Sequence, residues 1–269
     1  MPQYKAPVRD MQFLINELYR YPEHYAAIGH AELDAETVMA VVDQGARFAE
    51  QELFPLNAVG DEHGCRLENG QVYTPPGFKQ AYQSYMENGW SGLSSPESHG
   101  GQGLPESLGV FLTDMFGACN PAWYMYAGLT KGALTTLAAH GSAELRDTYM
   151  PSMISGAWGG TMCLTEPHCG SDLGLLKTRA VPQADGSYRI TGTKIFISAG
   201  DQDITENIVH LVLARIEGAP AGTQGISLFV VPKFLPTAPG VCGERNTVAC
   251  GSLEHKMGIK GAATCVMNF

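Results

Sequence analysis

An α+β fold, an all-α helical bundle followed by a β-barrel or sandwich-like domain, follows from three features of the sequence. Apolar residues recur at helical spacing between capping residues up to about position 151. From Trp158 onward, short β-type runs alternate with glycine turns. The two characters do not interleave, so the expected division is a helical domain over residues 1–157 and a β-domain over 158–269.

In the first part, Asp10 can cap a helix carrying Phe13, Leu14 and Leu18 that ends near Pro22. Asp34 can cap a longer one, from Val38 to Leu53, with Pro55 as terminator. The polar stretch 57–74 reads as a loop. Pro76 suits the start of a helix bearing Phe78, Ala81, Tyr82, Tyr85 and Met86, closed by Asn88-Gly89; these aromatics read as core. Residues 90–104 are a Gly/Ser-rich loop, and Gly101-Gln102-Gly103 lacks the third glycine of a dinucleotide fingerprint. His99 in that loop reads as structural or solvated. Helices from Pro105 and from Pro121 to His140 follow; the second, apolar on most faces and rich in small residues, belongs inside the bundle, with Lys131 snorkelling from it. Ser142 caps a last helix that stops at Pro151. The expected β-runs are 161–164, 175–181, 187–198, 208–216 and 226–231, with Asp185-Gly186 as a hairpin turn.

Composition narrows the function. A chain of 269 residues, 44% hydrophobic and 16% charged, is globular. Its net charge of −10 argues against nucleic acid or an anionic membrane as a partner, so any phosphate must be met by local groups. Seven cysteines without CxxC spacing suggest neither zinc nor any other metal site, and an odd count points to reduced, mostly buried thiols. No apolar run is long enough to span a bilayer and the first thirty residues carry no apolar targeting core, so the expected location is cytoplasmic.

The stretch 161–174, TMCLTEPHCGSDLG, is the chemical centre of the chain. An apolar strand breaks into small hydroxyls, a proline and a glycine, which leaves backbone N–H groups and the hydroxyls of Thr165 and Ser171 able to face an anion. The bland reading is a strand and a polar turn, with the hydroxyls satisfying turn amides. Phe196, between Ile195 and Ile197, reads equally as ordinary strand core.

Residues 165–172, TEPHCGSD, closely resemble the TEPxxGSD signature of the acyl-CoA dehydrogenase flavoprotein family. Residues 95–104, SPESHGGQGL, are similar to that family's PExxGGxG loop, and ITGTKIFISAG (190–200) and LEHKMGIKG (253–261) resemble two further segments in the same order. The opening YKAPVRD (4–10) and residues 255–258 look most like a bacterial branch that includes 3-methylmercaptopropionyl-CoA dehydrogenases. The resemblance implies FAD as cofactor, an acyl-CoA substrate, and an electron-transfer flavoprotein or similar acceptor. It also implies a homodimer or homotetramer at full length. It places Leu164 and Thr165 along the flavin ring, Thr165 and Ser198 on its polar edge, Ser171 at the pyrophosphate and Phe196 against its face. Phe196 stands where many relatives carry tryptophan, which keeps the aromatic surface and loses an indole donor. Glu166 and Asp172 are expected to support the loop. No residue here matches the family's catalytic carboxylate, which lies in a C-terminal helical domain missing from this sequence. The expectation is a chain without dehydrogenase activity that binds FAD weakly or not at all. A flavin oxidase or monooxygenase of the same fold, or a non-catalytic acyl-CoA-binding or assembly module, are the alternatives. Tyr124, Met125 and Leu129 are candidate acyl-pocket residues. Arg245 and Lys256 are available to CoA phosphates, with a solvated role favoured for each.

Overall fold

The computed structural model describes residues 3–269. Eight helices come first: α1 Val8–Gln12, α2 Tyr21–Ala27, α3 Ala35–Phe48, α4 Phe54–His63, α5 Phe78–Glu87, α6 Glu106–Cys119, α7 Pro121–His140 and α8 Ala143–Ile154. A small hairpin, β1 Arg66–Glu68 and β2 Gln71–Tyr73, interrupts them. The second half holds β3 Trp158–Cys163, β4 Arg179–Pro182, β5 Tyr188–Thr191, β6 Thr193–Ser198, β7 Asn207–Ile216, β8 Ile226–Pro232, β9 Phe234–Ala238, β10 Val241–Arg245, β11 Ala249–Leu253 and β12 Thr264–Asn268. The helical-then-sheet fold class is the one the sequence implies. The hairpin in the helical half is the exception, and Asn69-Gly70, both at positive φ, is its turn.

Proline positions account for most displaced helix ends. Asp34 caps α3 through Thr37 N (2.8 Å), but Pro55 does not stop the helix. A wide turn over Ala49–Leu53 intervenes, in which Phe54 N–H reaches back to Ala49 O. The regular ladder is already broken there, so the donor that Pro55 lacks costs nothing and the helix resumes to His63. Pro22 opens α2 rather than closing α1, and Asp10 lies inside α1 rather than capping it. Helix α8, capped by Ser142 through Leu145 N (3.2 Å), runs past Pro151 because Met153 and Ile154 are buried beneath the sheet. Gly77 and Asn88-Gly89 bracket α5 as its turn chemistry requires.

A mixed five-stranded sheet has parallel β3 and antiparallel β8 on β7, with the β4–β5 hairpin turned by Asp185-Gly186 at one end. A three-stranded antiparallel sheet runs β11–β12–β6, and β9–β10 form a ribbon. The expected single run 187–198 is therefore two strands in two sheets. Gly192 is the corner: a Cβ there would lie 2.8 Å from Thr178 Cβ, and Gly192 N pairs with Phe269 O (3.2 Å).

One hydrophobic core joins the two halves. It runs from Ile15, Val42 and Trp123 to Ile197, Cys265 and Met267. A second cluster packs α7 and α8 on β3 and β7. Helix α7 approaches β3 so closely that a Cβ at Gly160 would meet Ala133 Cβ at 2.6 Å, and Gly160 N donates to Thr130 Oγ1 (3.0 Å). Tyr126 clasps the halves: its hydroxyl donates to Gly261 O (3.0 Å) and accepts from Ala263 N (2.9 Å). No helix is long and apolar enough to cross a membrane among the described residues.

Candidate functional site

At the end of β3, Leu164 and Thr165 leave the five-stranded sheet and cross onto β6 of the other. Ile195 N donates to Thr165 O (2.9 Å), and the ammonium of Lys194 donates to Leu164 O (3.0 Å). The junction thus sets Leu164 and Thr165 against the start of β6, the strand that also carries Phe196 and Ser198. Thr165 and Ser198 are both half-buried. Ser171 lies farther along, exposed in the turn that follows Gly170.

Phe196 is the outlier. Strict alternation from buried Lys194 would turn Phe196 inward with it. Instead β6 carries an extra residue opposite β12: the register steps from Cys265↔Ile197 to Met267↔Lys194. Phe196 sits in this bulge at φ +58°, and its side chain is 57% exposed. A non-glycine residue in the left-handed region costs about 1–2 kcal/mol. An exposed phenyl ring on a strained backbone contributes nothing evident to the core, and such positions cluster at ligand sites. The reading of Phe196 as ordinary strand core is overturned by this exposure.

The turn of TEPHCGSD is organised by Glu166, which is buried. Its carboxylate accepts from Lys177 N (2.8 Å), Thr178 N (2.9 Å) and Lys194 Nζ (3.0 Å). Burial alone would raise its pKa; the hydrogen bonds from Thr178, Lys177 and Lys194 outweigh that and hold it at about 2. Burial lowers the pKa of Lys194, and Glu166 draws it partly back. Lys194 escaped the sequence reading, although a lone lysine within an apolar strand run is the signal of a buried, paired charge. Donor atoms of Glu166, His168 and Cys169 lie within 4.8 Å of one another, but both carboxylate oxygens are committed and His168 Nε2 donates to Leu175 O (3.0 Å). Asp172 turns its carboxylate onto Gly174 N (3.1 Å).

Other candidates fall into structural roles. His99 bridges Ser98 Oγ (2.9 Å) and Asp147 Oδ1 (3.2 Å), tying its loop to α8. Lys131 pairs with Glu106. Tyr124 and Lys131 line a small cavity of about 30 Å³ with Trp90, Leu93 and Phe116, whereas Met125 and Leu129 do not line it. Arg245 lies over the Phe234 ring at 5.7 Å. Lys256 is not solvated as expected: its ammonium turns into its own loop, onto Ala262 O and Thr264 Oγ1 (2.8 Å). All seven cysteines are free, and only Cys242 is exposed.

The crossing thus presents an outward phenyl face, two half-buried hydroxyls and a turn clamped by Glu166. Residues 35–157 match the acyl-CoA dehydrogenase N-terminal domain, and residues 161–269 the acyl-CoA dehydrogenase middle domain. The chain is 44% identical over 266 residues to the 3-methylmercaptopropionyl-CoA dehydrogenase of Ruegeria pomeroyi, covering 99% of this chain and 45% of that protein. It is 38% identical over 276 residues to a broad-specificity linear acyl-CoA dehydrogenase of Mycobacterium tuberculosis, covering 100% of this chain and 44% of the relative. The chain thus spans about half the length of the curated relatives it matches. Among solved structures, an acyl-CoA dehydrogenase from Bacillus anthracis complexed with FAD shares the fold, with a TM-score of 0.69 and 23% identity over 88% of this chain and 36% of that one.

Proposed function

The chain belongs to the acyl-CoA dehydrogenase family, and from that premise we propose that it forms the flavin-facing part of an enzyme that makes the α,β-double bond of an acyl-CoA thioester. FAD, when bound, supplies the acceptor for the hydride leaving the β-carbon. In this reading Phe196 packs on one face of the ring, and Thr165 and Ser198 hydrogen-bond its polar edge. Ser171 reaches the pyrophosphate from the exposed turn. The observation that carries the proposal is the outward, left-handed Phe196 beside the Leu164–Thr165 crossing.

The reaction also needs a base for the α-proton. Glu166 does not serve: a carboxylate held at about 2 and filled by three donors is a poor base at neutral pH. Asp172 is committed to Gly174 N. In this reading the chain supplies the ring's berth, and, as the family resemblance implies, a carboxylate outside it takes the proton. An electron-transfer flavoprotein or similar acceptor would take up the electrons.

Flavin fluorescence anisotropy, which registers weak binding, tests the berth. Titrating FAD with the chain should raise the anisotropy, and Phe196→Ala should lower the affinity about tenfold, as expected for a stacking contact of about 1–1.5 kcal/mol. An unchanged titration with Phe196→Ala would remove the central observation. Turnover of any acyl-CoA by the chain alone, with an artificial electron acceptor, would refute the assignment of the base.

A further inference from the structure

Lys194 is wholly buried, and two of its three ammonium donors are spent on Leu164 O and Glu166 Oε1, each at 3.0 Å. The Leu164–Thr165 peptide is trans, as is every peptide bond among the described residues. In a planar trans peptide the C=O and N–H point in opposite directions. Drawing Leu164 O inward onto Lys194 therefore turns the N–H of Thr165 to the other side. The next peptide is held through the backbone: Ile195 N donates to Thr165 O at 2.9 Å, one residue beyond the peptide that Lys194 fixes, so this bond registers whether that peptide is in place. Along the crossing, only the Leu164–Thr165 peptide owes its direction to a side chain.

The ammonium itself is not adjustable. Glu166 is fixed by the amides of Lys177 and Thr178, at the entry to β4, so Lys194 is seated on a carboxylate that is already locked. A buried ion pair adds little net stability over apolar residues of similar volume, and what it adds is direction. The strained bulge begins one residue beyond. Phe196 is held outward between two buried anchors, Lys194 and Ile197.

We infer that Lys194, seated on Glu166, is the positioning residue of the berth: it sets the direction of the Leu164–Thr165 peptide and with it the N–H that a ligand ring meets. This rests on the flavin-berth reading above. Neither residue touches the ligand. Lys194 acts through Leu164 O, and Glu166 acts through Lys194.

The test uses the whole 269-residue chain. Lys194→Met alone leaves a buried carboxylate without its counter-charge, so it is paired with the charge-neutral double variant Glu166→Gln/Lys194→Met and with Lys194→Arg. Amide hydrogen exchange read by NMR and FAD anisotropy are measured on each. In the double variant, Ile195 N–H should lose protection roughly tenfold, the factor of one hydrogen bond, while amides of β7 keep theirs. FAD affinity should fall by a similar factor, and Lys194→Arg, which restores the charge, should recover part of it. Wild-type affinity in the double variant, or unchanged Ile195 protection, overturns the inference. If wild type shows no anisotropy change while Ile195 responds as expected, the cofactor reading fails and the positioning role stands.

Discussion

Trp123 and Phe196 are both aromatic, yet they answer to different demands. Trp123 is sealed in α7 among Phe48, Tyr82 and Tyr85, with ring centroids 5.6–6.1 Å away and its indole N–H donating to Phe78 O (3.1 Å). Its backbone is ordinary helix, and every polar atom of the ring is satisfied. Phe196 lies on a bulged strand with left-handed backbone and most of its ring in solvent. Burial explains the first completely. Packing inside the chain does not account for the second, and the contrast separates residues that make the fold from those the fold displays.

The largest expected effect breaks the comparison on the folding side. Trp123→Ala should cost about 3–5 kcal/mol, read as a shift of the urea midpoint, by emptying the centre of the aromatic cluster and orphaning Phe78 O. A cost below about 1 kcal/mol would mean that the cluster does not carry the helical half. Next comes the buried charge of the turn. The pKa of Glu166 falls from 4.5 in the unfolded chain to about 2 in the folded one. Its contribution is therefore complete above about pH 4.5 and drains away as pH falls toward 2; it amounts to at most about 3 kcal/mol. Unfolding free energy of wild type should fall more steeply across that window than that of Glu166→Gln, and parallel pH profiles would show that the pair carries no linkage. The smallest effect is also the sharpest. Phe196→Gly should raise stability by about 1 kcal/mol by relieving the left-handed backbone, while FAD binding weakens. A variant that loses stability would place Phe196 with Trp123 after all.

Sequence pattern made the halves legible because period and capping are local. Asp34, Ser142, the Asn88-Gly89 stop and the Asp185-Gly186 hairpin each work through neighbours a few residues away. What escaped was set by distant partners. Pro55 and Pro151 look like terminators until a wide turn or a buried face overrides them. Strands β9 to β12 were not anticipated: their runs are short, β9 to β11 are largely exposed, and two registers are bulged, so no clean alternation marks them. At the site, Leu164, Thr165, Ser171, Phe196 and Ser198 were reached through resemblance, since hydroxyls in a turn look alike whether or not a ligand is near. The outward face of Phe196 depends on a register step against β12, some seventy positions away, which period-two reading places on the wrong side. Lys194 needed its partner across a crossing that only the folded chain creates.

The shared core at the Tyr126 clasp has a practical meaning for anyone dissecting this molecule. A cut after Ala157 would not release two self-sufficient pieces; it would strip Gly261 and Ala263 of their tyrosine and leave the greasy flank of α7 facing water. Damage among the helices should accordingly be felt as loosening of the strands, since the bundle serves as the foundation on which the strand edge carrying Phe196 is levelled.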